Sequence, residues 1–320
     1  MAVALFMMRR KMKEANQWCF SACLALTLLA PLASQASSSE WLSAGYRTDY
    51  LRWNIAGTSA NILSELTWSE LDSVQLKAEA EHNLGAGMTL RWGADYGYIV
   101  SGKNQDSDYA YNDRSGEFSR SYADTDGNLF DVTVGIGHEF FVRDAAVQQD
   151  MRLVPYIGVS FHQQSLRDTN GVQVWPATGA FAGLSSTYKA SWKGPWVGLD
   201  FGFDTGGDGQ LVLRVERHWA DYYAEADWNL RTEFQHPRSF EHVATGTGML
   251  WSLLWRYPPS KRWLFSAGLD YQYWQTGAGT DRTFYVYPYS GCGGPTQCET
   301  RLNEVQWRSM SLLLQLQKSF

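Results

Sequence analysis

Long segments of the chain alternate between apolar and polar residues with a period of two, and this pattern constrains the fold more than any other feature. From Met88 to Tyr98, apolar residues at even positions alternate with residues such as Arg91 and Asp95. Such alternation is typical of a β-strand with one apolar and one polar face. These segments run to about ten residues or more, whereas strands in soluble sandwiches usually have about five to six. The pattern therefore favours a transmembrane β-barrel.

The N-terminal residues predict a secretory signal peptide. Arg9 and Arg10 lie in a basic segment, an apolar segment follows from Cys23 to Leu32, and small residues surround a cleavage position at Ala36. Beyond this stretch, no apolar run reaches the roughly 18–20 residues that a spanning helix needs. We therefore predict a cleaved signal peptide over residues 1–36 and one outer-membrane β-barrel domain over residues 37–320.

The C-terminal segment also alternates, and the chain ends on an aromatic residue. Met310, Leu312 and Leu314 share one face, and the last residue is Phe320. This arrangement resembles the assembly signal of bacterial outer-membrane barrels, and the alternative is an edge strand of a soluble protein. The resemblance implies that the barrel assembly machinery recognises Phe320 and that the protein lies in the bacterial cell outer membrane.

The spacing of strand-length segments predicts ten antiparallel strands. They cover residues 41–55, 62–84, 88–100, 128–141, 152–166, 188–203, 210–224, 242–257, 261–275 and 305–320. Connections between them alternate in length, as in bacterial barrels with short periplasmic turns and long extracellular loops. The short ones are 85–87, 142–151, 204–209 and 258–260, and the long ones are 101–127, 167–187, 225–241 and 276–304. An even number of strands places both termini on the periplasmic side.

The side chains on these strands divide between lumen and lipid. Charged residues such as Arg47, Asp49, Arg91 and Glu216 are predicted to face inward, because a basic residue facing lipid at mid-depth costs roughly 2–4 kcal/mol. A ten-stranded barrel is narrow, so side chains can fill its interior. Aromatic residues near strand ends predict girdles at the membrane surfaces, and these are Trp41, Trp53, Tyr98, Tyr156, Trp196, Trp219, Tyr257 and Trp274.

Charge and cysteine content suit an exported protein. The formal net charge of −6 disfavours nucleic-acid binding. Outer-membrane lipid and lipopolysaccharide are the partners we expect. Cys292 and Cys298 enclose the turn-forming Gly293, Gly294 and Pro295, which predicts a disulfide that staples a loop in an oxidising compartment. A metal site would need further soft ligands near these cysteines, and we predict no metal and no cofactor.

Four segments resemble the Protochlamydia outer-membrane porin family (Pom). They are residues 61–68 (NILSELTW), 102–109 (GKNQDSDY), 192–198 (WKGPWVG) and 228–231 (WNLR). The resemblance implies a porin through which small polar solutes or ions diffuse, and the acidic net charge would give it a mild cation preference. The same family looks like a relative of the omptins, ten-stranded surface proteases.

The omptin resemblance implies a chemistry that can be checked. Omptins activate water between an acidic pair and an Asp-His pair on opposite rims. Asp106 and Asp108 match the acidic pair and are candidate catalytic residues under a protease alternative. The position expected to hold the histidine is nearest to Trp228, and neither His218 nor His236 has the expected spacing at the expected height. The site is therefore expected to be degenerate.

Other interpretations stay open. Asp106, Asp108 and Asp113 are spaced somewhat like a calcium loop, but the turn glycine and the distal glutamate are out of register. Residues 192–196 (WKGPW) form either a carbohydrate-stacking patch or, as we favour, a bent strand with tryptophans at the membrane surface. A closed barrel whose loops bind a ligand is the remaining alternative to the porin.

Overall fold

The computed structural model describes residues 38–144, 149–206, 209–260 and 263–318. The predicted signal peptide over 1–36 and the terminal Phe320 lie outside the described residues. Within the described part, no helix is both long and apolar enough to cross a membrane. The regular structure there is β-strand apart from one 3-10 turn at Ser290–Cys292.

Most barrel strands are longer than the sequence segments that predicted them. The strands are β1 (Ser38–Ile55), β2 (Ser64–Gly85), β3 (Met88–Tyr111), β4 (Ser115–His138), β5 (Phe140–Asp144), β6 (Gln149–Trp175), β7 (Gly179–Ala180), β8 (Ser186–Gly206), β9 (Gly209–Asp227), β10 (Phe240–Ser260), β11 (Trp263–Thr276), β12 (Gly279–Phe284) and β13 (Gln297–Lys318). Among the barrel strands, only β2 and β11 are one residue shorter than their predicted segments.

Ten of these strands form a closed antiparallel ring. Its order is β1-β2-β3-β4-β6-β8-β9-β10-β11-β13, and β13 pairs with β1, for example Leu316 with Leu42. The short β5 and β7 pair with β6, and β12 adds to β10 and β13 near the extracellular end. The predicted all-β, ten-stranded transmembrane barrel is confirmed. Closure leaves no unpaired sheet edge in the ring, which a lipid environment requires.

The outward face of the ring is apolar over the height of a membrane. On β13, Met310, Leu312 and Leu314 are 46%, 57% and 61% exposed, as the C-terminal alternation predicted. The band ends where outward-facing ion pairs begin. These pairs join Lys103 to Glu70 and Arg167 to Asp126, all well exposed. Residues beyond them on β3 and β6 therefore lie outside the membrane.

Tryptophans fill the middle of the barrel. Five of them are completely buried inside it, namely Trp68, Trp192, Trp196, Trp274 and Trp307. The rings of Trp274 and Trp307 stack with centroids 5.6 Å apart, and Trp192 lies 5.5 Å from Trp274. This layer closes the lumen at mid-height, because large rings leave little space in a narrow barrel.

The predicted aromatic girdle was wrong for most of its members. Tyr98, Trp219 and Tyr257 do face outward, but the other five side chains are buried in the interior, namely Trp41, Trp53, Tyr156, Trp196 and Trp274. Residues 192–196 show the reason, since Trp192 and Trp196 share the inward face with Gly194 between them. Glycines on neighbouring strands make room for the rings, and a Cβ on Gly158 would lie 2.5 Å from the ring of Trp196.

The predicted extracellular loops were also longer than the loops in the structure, because the strands extend into them. Most of 101–127 is a hairpin in which β3 continues to Tyr111 and β4 begins at Ser115. Both faces of these strand ends contact water, so their sequence does not alternate between apolar and polar residues and does not predict a strand. Other expectations hold, because the turn at 85–87 closes the β2–β3 hairpin and a disulfide joins Cys292 to Cys298 with Cα atoms 5.9 Å apart.

Candidate functional site

Charged side chains in the barrel interior form paired networks. Arg47 donates to Asp49 Oδ2 at 2.8 Å and to Asp131 Oδ2 at 2.6 Å. His162 Nδ1 lies 3.0 Å from the other oxygen of Asp131, and Trp307 Nε1 donates to Asp49 at 2.7 Å. The pairing satisfies charges that would otherwise be costly to bury.

A second network joins β2 and β3 to β8 and β9 across the lumen. Arg91 donates to both oxygens of Asp200 at 2.7 Å and also to Glu216. Arg214 donates to Glu79 at 2.7 Å, and these residues all face inward as predicted. The cavity left at this height is only about 70 Å³. The interior is therefore filled by paired charges and tryptophans.

A larger cavity of about 250 Å³ opens at the extracellular end. Asp106 and Asp108 line it from β3, where alternation places both side chains on the inward face. Asp168 lines it from β6 and accepts hydrogen bonds from Thr125 Oγ1 at 2.7 Å and Trp68 Nε1 at 3.0 Å. The structure thus adds a third carboxylate to the two that the sequence predicted. We call this space the rim cavity.

Burial changes the acidity of all three carboxylates. The pKa of Asp106 is well above its ordinary value, first because of burial and second because of the neighbouring Asp108 charge. Burial likewise raises the pKa of Asp108, and it raises the pKa of Asp168 to about 7. One oxygen of Asp106, Oδ1, is buried with no hydrogen-bond partner among the described residues. The rim cavity therefore holds carboxylates that a cation or a proton would stabilise.

One basic side chain lines the rim cavity within the described part of the chain. Arg231, between β9 and β10, contributes to the wall, and its positive charge lowers the pKa of Asp106 and of Asp108 against the effect of burial. It also donates to Glu233 at 2.5 Å and lies over the ring of Phe234. Because Glu233 shares its charge, Arg231 only partly balances the three carboxylates.

An Asp-His pair lies at the same end of the barrel. His236 Nδ1 is 2.5 Å from Asp227 Oδ1, and both side chains are partly exposed. Trp228, next to Asp227 in the chain, lines the rim cavity, although His236 does not. The expected two-position spacing is still absent, but the segment between β9 and β10 folds back and brings together an aspartate and a histidine nine positions apart.

The other candidates from the sequence have different places. Glu216 and His218 do pair, with Oε2 and Nε2 3.0 Å apart, but the pair is buried deep in the barrel. Asp113 lies in the turn between β3 and β4 and accepts a hydrogen bond from Asn61 Nδ2 at 2.9 Å. It lines no wall of the rim cavity, so the spacing that suggested a calcium loop does not bring the three aspartates into one site.

Two features of the candidate site, namely Asp168 and the contact between Asp227 and His236, escaped sequence analysis for a physical reason. Asp168 lies sixty positions after Asp108 in the chain. It lines the rim cavity only because β6, which carries it, pairs with β4 in the ring. Asp227 and His236 come into contact across a loop, and the conformation of a loop is not encoded by a periodic sequence pattern. A weak signal did exist, since Pro237 follows His236 and polar residues surround it, which is typical of a fixed turn.

Comparisons with known proteins agree with this architecture. The model of a family described as Protochlamydia outer membrane protein (Pom) matches residues 41–320. The outer membrane protease OmpT from Escherichia coli superposes with a TM-score of 0.69 at 11% identity, covering 89% of this chain and 97% of that one. At this identity the likeness shows the fold alone.

Two further structures share less of the geometry. The translocator domain of the autotransporter NalP from Neisseria meningitidis has a TM-score of 0.38 at 11% identity, covering 96% of this chain and 98% of that one. OprG from Pseudomonas aeruginosa has a TM-score of 0.33 at 11% identity, with 90% and 99% covered. No curated protein matches the sequence.

Proposed function

The chain belongs to the Protochlamydia outer membrane protein family, and from this premise we propose that it is a barrel of the bacterial outer membrane that binds cationic groups in its rim cavity. The ligand is presented from outside the cell and carries guanidinium or ammonium groups, as a basic peptide does. The barrel below the cavity is closed at rest. Lipid and lipopolysaccharide cover the apolar band, and the barrel assembly machinery recognises Phe320.

One observation carries this proposal, namely that Asp106, Asp108 and Asp168 converge on one cavity. Carboxylates so close together repel each other, and burial adds to the cost of their charge. A guanidinium or ammonium ion that enters the cavity relieves both penalties through charge-assisted hydrogen bonds. Ligand binding is therefore favoured by the strain of the unliganded site.

Diffusion of small polar solutes, which the family resemblance implies, has less support from the geometry. The layer of Trp192, Trp274 and Trp307 occupies the lumen at mid-height. A solute path would need these rings to move, and the nearby ion pairs join strands across the lumen, such as Arg47 on β1 with Asp131 on β4. We therefore propose the porin function second, as a property of a rearranged state.

The test of binding is the affinity of the folded protein in lipid vesicles for a fluorescent arginine-rich peptide. We expect the double variant Asp106→Asn and Asp108→Asn to lose about tenfold or more in affinity, since each charge-assisted hydrogen bond contributes about 1.5–3 kcal/mol. Asp126→Asn is the matched control, because it removes an outward-facing rim carboxylate that is paired with Arg167. Equal affinity for all three proteins would reject the proposal.

A second candidate function is peptide hydrolysis, favoured by the contact between Asp227 and His236. Asp227 would hold the ring through Nδ1, leaving Nε2 to accept a proton from a water that attacks a peptide carbonyl. The test is cleavage of a fluorogenic basic peptide. His236→Ala should abolish it, while His138→Ala, at the opposite end of the barrel, should not.

Conductance separates the closed barrel from the porin. The folded protein in a planar bilayer is expected to give no stable ohmic steps, because the tryptophan layer blocks the lumen. Stable steps in the wild type would instead support the porin function. That result would leave the peptide-binding test unaffected, since the two experiments measure different parts of the barrel.

A further inference from the structure

The charges at mid-height in the barrel do not balance. Four basic side chains lie there, namely Arg47, Lys77, Arg91 and Arg214. They face seven carboxylates, namely Asp49, Glu79, Asp95, Asp131, Asp200, Glu216 and Asp270. An excess of negative charge in a low-dielectric interior is costly, so it calls for an additional positive charge.

The imbalance concentrates at Asp95. In the sheet, Lys77 on β2, Asp95 on β3 and Asp131 on β4 lie directly opposite one another. Asp131 is neutralised by Arg47, which also holds Asp49. Lys77 is held by Asp270 at 2.9 Å and lies 3.5 Å from Glu79. Like charges opposite each other destabilise a sheet, and the one cation opposite Asp95, Lys77, is already engaged by two other carboxylates.

Two buried oxygen atoms at this point have no hydrogen-bond partner among the described residues. Asp95 is only 8% exposed, and its Oδ2 accepts a hydrogen bond from Gln75 Nε2 while its Oδ1 has no donor. Gln75 Oε1 also lacks one, although this side chain is completely buried. Both atoms can only accept, so what completes the site is a donor or a cation.

The space beside Asp95 is suited to a small ion. Asp95, Asp131, Lys77 and Asp270 line the interior cavity of about 70 Å³, whereas Gln75 contacts Asp95 from outside its wall. One water needs about 10–15 Å³ on this measure, so the cavity can hold an ion with a few waters. No group of three or more His, Cys, Asp or Glu side chains within the described ranges could chelate a metal, which disfavours a multivalent ion.

We propose that this interior cavity binds one hydrated monovalent cation, Na⁺ or K⁺, with Asp95 Oδ1 as its protein ligand. The ion supplies the positive charge that the surrounding side chains lack. Hard oxygen ligands suit alkali cations as they suit other hard cations. The proposal is independent of the rim cavity and of any peptide ligand.

The experiment compares thermal unfolding of the folded barrel in zwitterionic vesicles in equal concentrations of NaCl, KCl and N-methyl-D-glucamine chloride. The large organic cation cannot enter the cavity but supplies the same ionic strength. We expect Na⁺ or K⁺ to raise the unfolding midpoint of the wild type by about 2–4 °C. Identical midpoints in all three salts would overturn the proposal and leave a proton as the stabilising charge.

Two variants test whether the cation dependence of the unfolding midpoint arises at Asp95. Asp95→Asn removes the unpaired charge and keeps an oxygen for Gln75, so we expect it to fold and to unfold at the same temperature in all three salts. Asp221→Asn removes a carboxylate that is exposed on the outward face of β9, and it should keep the wild-type response to salt. A full cation response in Asp95→Asn would overturn the assignment.

Discussion

The interior at mid-height and the rim cavity both contain inward-facing acidic residues, but they differ in how those residues are neutralised. In the interior, Arg47 and Arg91 each hold two carboxylates at hydrogen-bond distance. In the rim cavity, Arg231 acts on Asp106 and Asp108 and is itself engaged by Glu233, and Asp168 has no basic partner among the described residues. Paired charges fix the strands relative to one another, whereas the proposed ligand would supply the charge that the rim carboxylates lack. Under this proposal, stability and recognition are separated along the barrel axis.

The strongest way to break this contrast is to unpair the interior. Arg47→Met leaves Asp49 and Asp131 without their cation, and we expect a loss of about 3–5 kcal/mol in the free energy of unfolding. Arg167→Met, which breaks an exposed outward pair with Asp126, should cost about 0–1 kcal/mol. Guanidinium unfolding in vesicles measures both, and similar losses would show that interior pairing has no special weight.

Removing a ring from the tryptophan layer tests whether packing also closes the lumen. Trp274→Ala leaves a cavity among Trp192, Trp307 and His162, and we expect it to cost about 3–5 kcal/mol. The folded variant should also pass small ions in a planar bilayer. Trp219→Ala, which removes an outward-facing ring, should stay closed, and a leak in that variant would point to general loosening.

The rim cavity should show the opposite response to loss of charge. The raised pKa of Asp168, about 7, means that the folded protein binds a proton which the unfolded chain releases near pH 4. The stability from that proton is present at low pH and is lost as the pH rises from about 4 to about 7. This loss is of order 2–4 kcal/mol.

Asp168→Asn should reduce this pH dependence. Asparagine keeps an oxygen to accept from Trp68 and Thr125 but carries no charge, so the variant should lose less stability than the wild type between about pH 5 and about pH 8, and Asp106 and Asp108 account for the remaining loss. An unchanged slope with pH in the variant would assign the dependence to other groups.

The smallest expected effect concerns ligand affinity. Because the pKa values of Asp106 and Asp108 are raised, both carboxyl groups release their protons at a higher pH than an ordinary aspartate does. A cationic peptide should therefore bind about tenfold more tightly at about pH 8 than at about pH 5. The double asparagine variant should bind with the same weak affinity at both values. Tighter binding at low pH would contradict the proposed role of the carboxylates.

Alternation in the sequence was sufficient to predict the barrel, because lipid on one side and a polar interior on the other impose a strict period. It placed Arg91, Asp95 and Glu216 inward and Leu312 and Leu314 outward, and the structure confirms these faces. Alternation failed for Trp196 and Trp274, since an aromatic ring suits both the membrane surface and a glycine-lined interior. The sequence pattern alone does not distinguish these two environments.

The candidate site was only half predictable. Asp106 and Asp108 stand two positions apart on one strand, so their convergence follows from strand geometry. Asp168 joins them because β6 follows β4 in the ring, and His236 reaches Asp227 through a loop. Contacts of this kind depend on register and loop conformation, neither of which leaves a periodic trace.

Pairing of the first strand with the last has a consequence for biogenesis. Leu42 and Leu316 become neighbours only when almost the whole polypeptide has been delivered, so the ring cannot close during synthesis or export. Until that moment, β1 and β13 each present a row of open backbone donors and acceptors that invites pairing with other chains. Contacts so distant along the chain also form slowly. We therefore expect assembly to need a factor that covers one open strand edge until the other strand is available. The action of this factor should determine both the rate and the fidelity of assembly.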